Sequence, residues 1–135
     1  MCGECKGCIG DIGDIYNQVV LAFARNPSLK CEITAFLRIT EYMIKEINHN
    51  SCIDDCHKHN LVCAITMLGG FPQALARNSS LKVQIIELYV EAFEQKIKLN
   101  LEHNCKYHDI KKHLLCKLKY AIDTFMIAEC ADPIV

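Results

Sequence analysis

Cysteine and histidine are the side chains here whose types and spacing could do chemistry, and the sequence holds ten Cys and six His. The first group is Cys2, Cys5 and Cys8, with Gly3, Gly7 and Gly10 among and after them. The second is Cys52, Cys56, His59 and Cys63, with His49 and His57 close by. The third is Cys105, His108, His113 and Cys116, preceded by His103. Cys31 and Cys130 stand apart. Thiolate and imidazole are the donor set of tetrahedral zinc. The expected metal ligands are therefore Cys52, Cys56, His59, Cys63, Cys105, His108, His113 and Cys116, with Cys2, Cys5 and Cys8 as a second site. The spacing of Cys2, Cys5 and Cys8 also matches the opening of a ferredoxin-type run. Ile12 stands where the fourth Cys of that run belongs, so no iron–sulfur cluster is expected.

Geometry limits what the second group can do. Taken as one helix from Ser51 to Leu68, Cys52, Cys56, His59 and Cys63 fall on a single stripe. On a straight helix Cys52 and Cys63 are about 16 Å apart along the axis, too far for one ion or one disulfide. Pairs at four-residue spacing are within reach, so another segment must complete any site. Cys52 and Cys63 are spaced like Cys105 and Cys116, which makes the third group the expected neighbour. Parallel helices would join Cys52 to Cys105 and Cys63 to Cys116. An antiparallel arrangement would join Cys52 to Cys116 and Cys63 to Cys105. The same contacts would be zinc clusters in a reduced protein and inter-repeat disulfides in an oxidised one. Core packing alone would also produce such a stripe, because a free Cys behaves as a small hydrophobe; His59 argues against that, since a buried imidazole needs a partner.

The elements that position these residues carry an internal repeat. Ala24-Arg25-Asn26-Pro27-Ser28-Leu29-Lys30 returns as Ala76-Arg77-Asn78-Ser79-Ser80-Leu81-Lys82, 52 residues on. Such a period suits helix pairs stacked on one shared core. The expected copies span about 11–63 and 64–116, with a C-terminal extension over 117–130 and a Cys-rich segment over 1–10. In each copy Asn and Ser (Asn26 with Ser28, Asn78 with Ser80) are suited to accept the free amides that open a helix. Ile33, Phe36, Leu37, Thr40, Met43, Ile44 and Ile47 follow at helical period, and Ile85, Ile86, Tyr89, Val90, Phe93, Ile97 and Leu101 repeat the pattern. A first helix over Asp11–Ala24 turns Ile12, Ile15, Tyr16, Val19, Val20 and Phe23 inward. Another runs from a capping box at Ser51 and Asp54 to a stop at Gly69-Gly70. Asn104 opens a last one with Tyr107, Ile110, Leu114, Leu118, Ala121, Ile122 and Phe125 inward. No stretch alternates with period two. The prediction is an all-α fold, about five helices in a compact bundle of two duplicated helix-pair repeats, with a short additional helix near Phe71–Ala76.

Composition narrows the function. The chain is 51% hydrophobic and 23% charged, which excludes a disordered tail. A net charge of −1 gives no global basic field, so neither nucleic acid nor membrane is an expected partner. The longest apolar run, Val19–Ala24, is far shorter than the ~20 residues of a membrane span. The start lacks the basic and apolar regions of a signal peptide, so the expected location is the cytoplasm, with secretion as the alternative. No phosphate-binding loop, nucleophile elbow, zinc-protease or kinase signature occurs. The leading expectation is a non-enzymatic Cys/His-rich helical protein acting in protein–protein interaction, stabilised by zinc, and able to form a homo-oligomer. The alternatives are a secreted disulfide-stapled bundle that binds an apolar ligand or receptor, and a thiol-redox or copper-handling protein.

Overall fold

A computed structural model describes residues 12–101, 107–128 and 130. The described residues form helices and no strand: α1 (Ile12–Arg25), α2 (Lys30–Asn48), α3 (Asp55–Thr66), α4 (Phe71–Arg77), α5 (Lys82–Leu101) and α6 (His108–Ile122). Short 3-10 turns at Pro27–Leu29, Met67–Gly70 and Ser79–Leu81 join α1 to α2, α3 to α4 and α4 to α5, and a π-helical segment, Asp123–Ala128, follows α6.

α2 lies at the centre because its apolar stripe is the widest. Ile33, Phe36, Ile39, Met43 and Ile47 are all buried on it, and α1, α3, α4, α6 and the π segment pack against it. α5 receives α3, α4 and α6 in turn. The two long helices meet through aromatic rings: Phe36 of α2 stands edge-on to Tyr89 of α5, with ring centres 4.4 Å apart. Phe71 and Phe93 pack on other sides of the same tyrosine, at 5.5 and 5.7 Å. Burial of these side chains is worth roughly 1.5–3 kcal/mol each and outweighs the weak intrinsic helix preference of the β-branched residues among them.

The repeated heptapeptide builds the same junction twice. α1 ends at Arg25 and α4 at Arg77; an Asn outside helical geometry follows, then a 3-10 turn, then a long helix. The Asn residues do not cap as expected. A 3-10 turn stands before each long helix, so the first free amides are taken by backbone: Leu29 N–H donates to Asn26 O and Leu81 N–H to Asn78 O. The side chains instead reach toward carbonyls. Asn78 Nδ2 donates to Ala74 O at 3.0 Å, and Asn26 Nδ2 to Ala76 O at 3.4 Å. Through Asn26 and Ala76 the two junctions touch, and α1 packs on α4.

Three other expectations are corrected. Tyr16 and Val20 are exposed, because Ile15, Val19 and Ala22 already fill the contact of α1 and each exposed residue sits one step round the helix. Tyr16 reaches along the surface and its hydroxyl donates to Glu41 Oε2 at 2.6 Å. The capping residue of α3 is Asp54, not Ser51, so the helix begins at Asp55. Gly69-Gly70 does not stop the chain in a left-handed turn; Gly70 is right-handed helical and the 3-10 turn runs directly into α4.

Candidate functional site

The late start of α3 breaks the predicted Cys stripe. Cys52 lies in the turn before the helix, exposed and free, its N–H bonded to Asn50 Oδ1 at 2.9 Å. Cys56, His59 and Cys63 are on α3. Cys56 and Cys63 are each disulfide-bonded, so in this state neither offers the thiolate that zinc requires. His108, His113 and Cys116 lie on the exposed side of α6, and Cys116 is free. Because Cys52 and Cys116 are free, the inter-repeat bridges Cys52–Cys105, Cys63–Cys116 and Cys52–Cys116 are not formed. Cys2, Cys5, Cys8 and Cys105, and with them the second candidate site, lie outside the described residues.

The two cysteines that stood apart in the sequence are joined. Cys31, at the start of α2, is bonded to Cys130, with Cα atoms 5.5 Å apart and a sequence separation of 99. Among the described residues, the one set of three Cys, His or acidic side chains with ligand atoms within 4.8 Å is Cys31, Glu32 and Cys130. It is not a free ligand set. Its two sulfurs are bonded to each other, and the Glu32 carboxylate faces Lys82 Nζ of α5 at 3.6 Å.

A second cluster ties the start of α3 to the start of α6. Asp54 Oδ1 accepts from the His57 backbone N–H at 2.9 Å, which is the N-cap itself. Its other oxygen lies 2.7 Å from His57 Nδ1 and accepts from the buried Tyr107 hydroxyl, also at 2.7 Å. The Asp54 N–H donates back to the tyrosine oxygen at 3.3 Å, and the His57 and Tyr107 rings stand edge-to-face at 4.8 Å. The His57 backbone amide, then the Tyr107 hydroxyl, hold the Asp54 carboxyl well below the usual carboxylate range. Asp54 was legible as a member of the capping box. The tyrosine, more than fifty residues away in sequence, carried no signal beyond an inward place on its helix.

The third feature is a groove between α5 and α6 of about 390 Å³. Val90, Leu115, Leu118 and Ile122 give it an apolar floor, and Glu94, Lys119 and Asp123 stand around it. Its size falls within the usual range for small-molecule sites. It ends at Asp123, where helical geometry changes from α to π.

No protein-family model, curated protein or solved structure matches this chain.

Proposed function

We propose that this chain is a small, non-enzymatic helical binding protein that acts by contact with a protein partner, with disulfides bracing its bundle. The observation that carries the reading is the Cys31–Cys130 bond, which fastens the start of α2 to the chain beyond α6. The bonded state of Cys56 and Cys63 supports it. Bridging so long a loop restricts the unfolded chain strongly, and such bonds persist in oxidising compartments. The reading therefore goes with secretion, the alternative, in place of the cytoplasm. Zinc is the competing brace: in a reduced chain the thiols of Cys56 and Cys63 would be restored as ligands beside the histidines. The matching spacing of helix starts, Asp55 for α3 and His108 for α6, supports an extension of the duplication to units of three helices.

Site-resolved alkylation of the native protein tests this reading. Cys31, Cys56, Cys63 and Cys130 should resist iodoacetamide until reductant is added, while Cys52 and Cys116 should react at once. Alkylation of all six without reductant, together with stoichiometric zinc by elemental analysis, would replace the disulfide reading with the zinc one. Binding of an apolar ligand is a second reading, favoured by the groove between α5 and α6. An apolar naphthylamine fluorophore should then brighten on mixing with the protein and lose most of that signal with Val90→Trp.

A further inference from the structure

α5 is apolar on two sides. Ile85, Tyr89, Phe93 and Ile97 are buried toward the bundle. Leu88 and Leu99 lie outside that stripe, about 110° round the helix from its centre, and are 57% and 60% exposed. Eleven residues is close to three helical turns, so these leucines share one outward line, with Ala92 and Gln95 between them. Glu91 and Lys98, seven apart, both flank that line on the same edge. Neither makes an ion pair among the described residues.

This pattern is self-complementary when reversed. Laid antiparallel about a twofold axis level with Phe93 and Glu94, a second α5 brings the partner's Leu99 level with Leu88, and the partner's Gln95 level with Ala92. Antiparallel helices bring like edges together, so Glu91 falls beside the partner's Lys98, and the symmetry makes each contact twice. A parallel pair would set each leucine against its own copy and turn Lys98 away from Glu91. We infer that the outward face of α5 binds a second copy of this chain, through an antiparallel α5–α5 contact of paired leucines flanked by Glu91–Lys98 ion pairs.

One helix pair covers less than the roughly 800 Å² per partner of a standard interface, so the dimer forms only at high protein concentration. The contact uses no cysteine and stands apart from the disulfide bracing proposed above.

Sedimentation equilibrium on the full chain, with Cys52 and Cys116 first blocked by iodoacetamide, tests the contact. The weight-average mass should rise from 15.3 kDa toward twice that value between ~10 µM and ~1 mM protein. Leu88→Glu should weaken association at least ~10-fold, and Glu91→Lys or Lys98→Glu alone ~5-fold. The double exchange Glu91→Lys with Lys98→Glu should return it to within ~2-fold of the parent. All of these positions are at or near the surface, so unchanged far-ultraviolet dichroism and unfolding midpoint identify variants that keep the fold. A parent chain that stays monomeric throughout overturns the proposal, and so does an association that Lys98→Glu leaves unchanged or the double exchange does not restore. Failure here would leave the alkylation pattern untouched, and an altered alkylation pattern would leave this contact standing.

Discussion

The Tyr107 hydroxyl, at the start of α6, donates to the carboxylate of Asp54, the residue that caps α3, over 2.7 Å. The tyrosine is fully buried, so its ring is fixed by the core while its hydroxyl meets the partly exposed carboxylate of Asp54 from within. One carboxylate thereby satisfies a free amide of one helix and locates the beginning of another. The bundle is registered here by a polar contact as well as by apolar packing.

Removing that carboxylate should cost more than an ordinary surface change. Asp54→Ala is expected to lower unfolding free energy by about 1–2 kcal/mol, the usual cost of a lost N-cap. Tyr107→Phe keeps the ring and removes only the donor. Its cost should be near 1 kcal/mol, because water can replace the hydroxyl at a carboxylate that is 42% exposed. Urea unfolding of the two variants, read by dichroism, gives both values.

The same contact sets a pH dependence of known sign. Asp54 has its carboxyl lowered in the folded state, so the charged form stabilises the fold above the unfolded carboxylate value of about 3.9. That contribution is lost as pH falls from there through the folded value. The stability gap between the parent and Asp54→Asn should be level between about pH 5 and 7 and shrink below about pH 4. Solvent screening at this exposed site keeps it to about 1 kcal/mol or less. Thermal unfolding of both proteins across that range checks the sign as well as the size.

The Cys31–Cys130 bond should be worth more than either hydrogen bond. Replacing both residues by Ala is expected to cost about 2–5 kcal/mol, as for other native disulfides that close long loops. α6 keeps its packing on α2 and α5, so the first region to loosen should be the π segment, Asp123–Ala128. Hydrogen exchange by mass spectrometry should show amide protection falling there before it falls in α6.

What the sequence made legible was governed by periodicity. The apolar lines of α2, α5 and α6 recur every three or four residues, and Ile33, Phe36, Tyr89, Phe93, Leu114 and Leu118 are buried accordingly. Periodicity says nothing about how wide a contact is, so Tyr16 and Val20 were drawn inward although α1 uses a narrower line. It also cannot rank neighbouring caps. Ser51 and Asp54 both suit an N-cap, and the choice fell to Asp54, which alone meets Tyr107. That choice removed Cys52 from the helix. The pairing of Cys31 with Cys130 was invisible for another reason: neither residue has a Cys or His at a regular spacing, and only the packing of α2 beside the chain after α6 brings them together.

Tyr89 carries a hydroxyl that the core does not use well. The oxygen is buried without a hydrogen-bond partner, and burial pushes its pKa up, offset in part by the Thr40 hydroxyl nearby. Thr40 gives its own hydrogen to the Phe36 carbonyl at 2.8 Å, and its oxygen does not accept from the phenol in hydrogen-bond geometry. Tyr89→Phe retains the ring contacts to Phe36, Phe71 and Phe93 while removing an unpaired polar atom. It should leave stability unchanged or raise it by up to about 1 kcal/mol. A loss beyond that in urea unfolding would mean that the hydroxyl has a partner in solution.

The two glycines of the turn before α4 should respond in opposite ways to the same change. A Cβ on Gly69 would stand 3.2 Å from Ile15 Cγ1. Ile15 is buried in the contact between α1 and this turn, so it has little room to give. Gly69→Ala is therefore expected to cost about 1 kcal/mol through overpacking. A Cβ on Gly70 would meet nothing within 4 Å, and its backbone at φ −74° and ψ −16° suits any residue. There the methyl group should instead stabilise by about 0.4–1 kcal/mol, because it narrows the freedom of the unfolded chain. Thermal midpoints of the two variants should move to opposite sides of the parent. A rise for Gly69→Ala would show that α1 can shift away from the turn without loss.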